Sequence, residues 1–168
     1  MGHLEDSIKL YAKNLGFNGI GITTSDAFVR DESAAIDRIR EGFMAGMDWY
    51  TEERVHRSSH PNTLLPGAKS IISLSMSYST DDPIPGLHGP TGKVARYAWG
   101  RDYHNLVGKR LRRLQKRLRE AGVESWGGVD TAPILERELA AAAGLGSIGK
   151  HTLLIEPSIG SWMLLGGI

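Results

Sequence analysis

Four groups of residues carry side chains able to do chemistry. The first is a lone acid, Asp130, in GGVDTAPILERE (127–138), where an apolar β-like stretch gives way to a helical pattern. An acid at such a junction either caps the helix by accepting from its free N–H groups or stands at a strand end as a proton donor for a ligand. Thr131 can share the capping duty and so free the acid. The second is GLGSIG at 144–149, which fits G-x-G-x-x-G and, with Lys150, nearly fits a P-loop. Both patterns need the glycines to leave a strand and open a helix, so that the helix N-terminus faces phosphates. Here helical ILERELAAAA precedes the glycines, strand-like HTLLIE follows, and His151 stands where the P-loop needs a hydroxyl for Mg²⁺. The Rossmann and P-loop readings are therefore rejected in favour of a glycine-rich turn, with phosphate contact by a loop of another sort left open. The third group is His56 and His60, spaced i, i+4. Pro61 and Ser58-Ser59 argue against a regular helix and no acid lies between the histidines, so no metal site is assigned. The fourth is RDYHNLVGKRLRRLQKRLRE (101–120), with eight Lys/Arg against two acids. It is either a solvated helix face or a phosphate-contact surface weakened by salt, without the interleaved aromatics of a base-stacking face. His104, beside Asp102 and Tyr103, is a first-turn helix residue or a polar site group.

Those residues sit in a chain of 168 residues with net charge +1, 40% hydrophobic and 23% charged, which predicts one soluble globular domain. There are no cysteines, which excludes disulfides, thiolate zinc sites, thiol nucleophiles and cysteine-held iron–sulfur clusters. No apolar run reaches the roughly 18 residues of a membrane span. MGHLEDSIKLYAKNLG has none of the marks of a signal peptide, so the cytoplasm is the expected compartment.

Leu4, Ile8, Tyr11 and Leu15 predict a helix over 4–15 with Gly16 as its C-cap. A strand is expected at 17–23, a helix from Ser25 or Asp26 to about Arg40, and a short helix in AGMDWYTEERV. HRSSHPNTLLPG reads as a turn-rich loop and KSIISLSMSY (69–78) as the clearest strand. STDDPIPGLHGPTGK (79–93) reads as an exposed loop, VARYAW as a short strand or extended segment. A long helix from about Tyr103 to Ala121 places Leu106, Leu111, Leu114 and Leu118 inward. ESWGGVD, HTLLIEP and GSWMLLGGI read as strands around helical ILERELAAAAG. The alternation predicts a three-layer α/β domain with a mixed central sheet. The chain stops on apolar WMLLGGI without a closing helix, which predicts that it is truncated there.

Taken together, several phrases resemble the N-terminal domain of epoxyqueuosine reductase, the cobalamin-dependent enzyme of tRNA queuosine biosynthesis. They are GMDWY (46–50), LLPGAKSIISLSMSY (64–78), ARYAWGRDYH (95–104), VDTAPILERELAAAAGLGSIGKHTLLI (129–155) and GSWMLLG (160–166). The resemblance implies that Asp130 lies over the cobalamin face as general acid. Reduced cobalt would engage the epoxide carbon while Asp130 protonates the departing oxygen. A carboxyl under an apolar macrocycle loses hydration and keeps its proton nearer neutrality. It also implies cofactor contacts for Arg57, Arg96, Tyr97, Arg137, Leu154 and Leu165. Asp102, Tyr103, His104 and Lys150 would meet substrate or phosphate. No protein histidine is implied as lower cobalt ligand, and a nitroreductase-like kinship with reductive dehalogenases is implied for the fold. Ser147 stands where the family commonly has an aromatic.

The implied partners are a tRNA with a queuosine-type anticodon and an electron-donating iron–sulfur domain. In the family a ferredoxin-like domain holds two [4Fe–4S] clusters, which this cysteine-free chain cannot bind. Two readings follow: residues 1–168 form the cobalamin-binding catalytic domain of an epoxyqueuosine reductase, or a corrinoid- or tRNA-binding module that catalyses nothing alone.

Overall fold

Alternation along one strand builds the architecture. The computed structural model describes residues 2–80 and 92–168, and in it strand β2 (Ser70–Ser77) is the centre of a three-stranded sheet. Successive side chains of a strand point to opposite faces. Ile72, Leu74 and Met76 form one side and enter the main core, while Ser73 and Ser75 form the other, almost completely buried. Strand β1 (Gly19–Thr24) pairs antiparallel with one edge of β2 and a C-terminal strand, Met163–Gly167, with the other. That C-terminal strand is β5 in the numbering used below.

Helices cover both faces, as the three-layer expectation requires. On the apolar face lie α1 (Gly2–Asn14) and α4 (Tyr103–Glu120). Ile8 and Ala12 of α1, with Phe17, pack against Val107, Leu111, Leu114 and Leu118 of α4. Truncating a buried leucine such as Leu74 or Leu114 in a core of this kind costs about 2–5 kcal/mol. Arg110 leaves the basic stripe, its Nη1 donating to the Gly16 carbonyl (3.1 Å) at the end of α1. Between β1 and β2 come α2 (Val29–Arg40) and α3 (Glu52–Ser59), packed on each other.

On the serine face lies α5 (Glu136–Ala142), whose C-terminal half is three alanines. Its C-terminal end approaches so closely that a Cβ on Gly21 would stand 2.2 Å from the Ala143 carbonyl oxygen, and across the strand pair a Cβ on Gly19 would stand 2.3 Å from the Oγ of its partner Ser75. Glycine and serine on this face are thus a packing requirement. Gly21→Ala is expected to destabilise the chain by about 1–3 kcal/mol, the usual cost of overpacking a tight contact. A denaturant melt checks this, with a backbone oxygen rather than a flexible side chain in the way. After α5, Gly144 turns in the left-handed region (φ +76°) and the chain forms a hairpin of β3 (Ser147–Ile148) and β4 (Leu154–Ile155). The glycines thus leave a helix and enter a strand, the reverse of a nucleotide-binding loop.

Several local expectations change. The sheet is antiparallel in every described pairing rather than mixed, since hydrophobic period sets which face a strand buries but not its direction. Leu106 is exposed and Val107 takes its inward place; Leu4 is likewise exposed while Ala12 is buried. His56 to Ser59 are helical, because Thr51 caps α3 by accepting from the Arg54 N–H (3.2 Å) and Pro61 only opens a following single turn of 3₁₀ helix. Within VARYAW, Arg96–Ala98 is also a 3₁₀ turn. ESWGGVD contributes one bridge, Gly128 to Gly167. Most of the 79–93 loop, residues 81–91, lies outside the described residues. No described helix is long and apolar enough to cross a membrane.

Candidate functional site

Asp130 sits where the chain leaves its bridge to β5 and turns toward α5. Its φ of 43° lies in the left-handed region, which aspartate tolerates better than most residues but which still needs holding. Two sets of contacts hold it. Its backbone N–H donates to Glu136 Oε1 at 2.6 Å, and its Oδ2 accepts from Tyr103 Oη at 3.1 Å and lies 2.6 Å from His104 Nε2. The helix-capping role is excluded: α5 begins at Glu136, and Leu135 occupies the cap position. The acid is exposed.

The first turn of α4 brings His104 to it. Asp102 is the N-cap, its Oδ1 accepting from the His104 backbone N–H at 2.9 Å. The same oxygen lies 2.7 Å from His104 Nδ1, so both imidazole nitrogens face a carboxylate. The bonds to Asp102 and then to Asp130 raise the His104 pKa, and in return His104 lowers that of Asp102. An imidazolium donating from both nitrogens satisfies the arrangement Asp102–His104–Asp130. Tyr103 stacks on His104 (4.2 Å between ring centres), and its phenol is pushed up to about 12 by burial and by the hydrogen bond to Asp130.

Glu136 was missed in sequence, although it is the acid of the ILER phrase. Burial, and then the charge of Asp130, raise its pKa to about 7 against the lowering effect of the Asp130 N–H. It is a half-buried carboxyl at the first residue of α5. The signal was its i+6 spacing from Asp130, which only a non-helical loop between them makes a contact.

The other candidates fall in three places. Arg96 donates to the Thr80 carbonyl and lies over Trp99 (4.7 Å) and Trp162 (4.2 Å), while exposed Tyr97 meets Tyr103 edge-on at 6.2 Å. Arg137 donates from Nη1 to the Thr152 carbonyl (2.6 Å), tying the β3–β4 loop to the start of α5 beside Glu136. It lines a cavity of about 50 Å³ with Leu153, Leu154, Ser161, Met163 and Leu165. Leu154 is buried against Ala140 and Leu145, opposite Ile148 in the hairpin, and Lys150 is exposed. Arg57 lies in the last turn of α3; the α3 arginine that reaches the acid's loop is Arg54, whose Nη2 donates to the Thr131 carbonyl at 3.1 Å.

Comparison with known proteins bears on this arrangement. Residues 58–131 match the family described as epoxyqueuosine reductase QueG, DUF1730. The chain is 41% identical over 169 residues to an epoxyqueuosine reductase of Aliivibrio fischeri, covering 97% of this chain and 45% of the relative. A Xanthomonas campestris epoxyqueuosine reductase is 42% identical, covering 96% and 46%. The epoxyqueuosine reductase structure from Streptococcus thermophilus superposes with a TM-score of 0.85 at 31% identity over 98% of this chain and 45% of that one. A crystal structure of epoxyqueuosine reductase with an epoxyqueuosine-modified tRNA-Tyr stem loop superposes with a TM-score of 0.85 at 27% identity, covering 98% and 44%. The chain thus spans a little under half the length of these relatives.

Proposed function

We propose, from the similarity of nearly the whole chain to epoxyqueuosine reductases, that it belongs to that family and that residues 1–168 are the cobalamin-binding catalytic domain of such an enzyme, acting on epoxyqueuosine in tRNA in the cytoplasm. The observation that carries the proposal is Asp130, held in a left-handed turn with its carboxylate hydrogen-bonded to His104 and Tyr103. Converting an epoxide to an alkene takes two electrons and two protons and releases water. Asp130 protonates the epoxide oxygen as the C–O bonds break. His104, bonded to the same oxygen of the acid, reloads it between the two transfers, with Asp102 holding the imidazole in line.

The residues fit a corrin. Ile148, Leu153, Ile155 and Trp162 are large apolar side chains left exposed on and around the β3–β4 hairpin, suited to a flat apolar macrocycle. Arg137 and the main chain at Leu154 suit its amide rim, with Arg57, Arg96, Tyr97 and Leu165 as the remaining contacts. Cobalamin, when bound, supplies the reducing cobalt centre for the epoxide carbon. The chain has no cysteine for a cluster, so its electrons come from an iron–sulfur partner or domain. Titration of the folded protein with cobalamin should give a saturable base-off change in visible absorbance. A folded protein without that change would refute a self-sufficient cobalamin site.

The tRNA partner is supported by the relative solved with a modified stem loop and by the exposed Lys109, Arg112, Arg113, Lys116, Arg117 and Arg119 of α4. Asp102, Tyr103 and His104 stand at the acid and would face the same substrate, while exposed Lys150 would meet phosphate. Neutralising Arg112, Arg113 and Lys116 together is expected to weaken stem-loop binding and flatten its dependence on salt. A wild-type salt slope would return the stripe to a solvated face. Arg110, committed to α1, is left out of that set. Binding of cobalamin and tRNA without turnover, even with a competent electron donor, would favour the non-catalytic module.

A further inference from the structure

The α2–α3 pair is held differently from the rest of the molecule. Helix α2 has no buried residue, and polar groups span it and α3: Arg40 to Glu52 at 2.9 Å, and a cluster of Glu32, His56 and His60 at the other end. In that cluster one carboxylate reaches two imidazoles. Glu32 Oε1 lies 2.8 Å from His56 Nδ1 and Glu32 Oε2 lies 3.7 Å from His60 Nε2. The Glu32 side chain keeps only 15% of its surface exposed, and the two rings lie 4.1 Å apart between centres.

We propose that Glu32, His56 and His60 form a divalent transition-metal site, for zinc or a metal of similar coordination, that clips α2 to α3. Three observations carry this. One ligand atom from each residue falls within 4.8 Å of the other two. Ligands on a tetrahedral zinc stand about 3.3 Å apart, given Zn–N and Zn–O bonds near 2.0–2.1 Å, and the two distances above bracket that value. His60 is also already oriented. Its Nδ1 lies 3.0 Å from the His56 carbonyl and donates to it, so Nε2 carries the lone pair and faces the carboxylate. That backbone bond is the usual outer support of a ligating histidine. His60 caps α3 four residues after His56, and the closeness of the two rings brings both imidazoles to one side of the helix end, as a chelating pair requires. His56 binds through Nδ1 as its Nε2–H tautomer, giving up the hydrogen bond to Glu32 for a shared metal. Two imidazoles and a carboxylate suit zinc, leaving one position for water.

The test uses the full chain without an affinity tag, stripped with chelator, in the absence of cobalamin and tRNA, so that it stands or falls separately from the proposed reaction. Titration with Zn²⁺ by calorimetry should give one site per chain, and Co²⁺ should give visible bands of four-coordinate geometry. His60→Ala and Glu32→Gln, each shown folded by circular dichroism, should lower the affinity at least tenfold, since even an outer-shell partner is worth ~10–100-fold. His151→Ala, bonded to Ser161 on the far hairpin, should bind as the wild type does. Metal should raise the melting temperature of the wild type and not of the two ligand variants. No binding by the folded chain, or equal affinity in the ligand variants and wild type, would overturn the site.

Discussion

Asp130→Asn is expected to abolish epoxide reduction while cobalamin binding stays within a few-fold of wild type. The substitution is close to isosteric, and asparagine tolerates the left-handed turn as aspartate does. The backbone N–H still donates to Glu136, and the side-chain oxygen still accepts from His104. What disappears is the transferable proton, and removing a general acid costs about 10²–10⁴-fold in rate. The measurement is single-turnover reduction of an epoxyqueuosine-modified stem loop with cobalamin and a low-potential electron donor. Parallel cobalamin titrations separate chemistry from binding. Unchanged turnover in the variant would remove Asp130 from the acid role and leave Glu136, the neighbouring carboxyl whose pKa burial raises to about 7, as the group to examine.

Glu136→Gln is expected to stabilise the protein at alkaline pH and leave it unchanged in acid. The Glu136 carboxyl has a pKa of about 7 in the fold against an ordinary value of 4.5, raised chiefly by burial. A group raised in this way binds its proton more tightly folded than unfolded. Its favourable contribution is therefore complete below the unfolded value and is lost as pH rises through 7. A shift of that size corresponds to about 3 kcal/mol. The neutral amide keeps an acceptor for the Asp130 N–H and avoids that loss. At pH 8 the variant should melt higher than the wild type by ~2–4 °C per kcal/mol recovered, the scaling for chains of this size. At pH 4.5 the two should melt together. Parallel pH dependences in the two proteins would show that the carboxyl titrates normally.

The α2–α3 histidines illustrate how local reading went astray. Ser58, Ser59 and Pro61 are poor helix residues, so a loop was the reasonable expectation for 56–61. The capping bond from Thr51 and the burial of Val55 and Ser59 outweigh those propensities and carry the helix through Ser59. The acid missing between the histidines then arrives from α2, 24 residues away.

Much of the design was nevertheless present in the order of residues. Alternation at 70–77 determined a buried strand, the i, i+3, i+4 leucines a long helix, and helix–glycine–strand order the failure of GLGSIG as a nucleotide loop. The quoted phrases were enough to point to the epoxyqueuosine reductases, to which the chain is similar over nearly its whole length. Tertiary structure alone decided the direction of the strands and the closeness of α5 to the Gly19–Gly21 face. It alone assembled Asp102, His104, Asp130 and Glu136, drawn from the ends of three separate segments. Periodicity reports which side of an element is apolar, because burial of side chains is read along one segment. Hydrogen bonds between loop acids and helix termini depend on how segments meet, and no single segment carries that information.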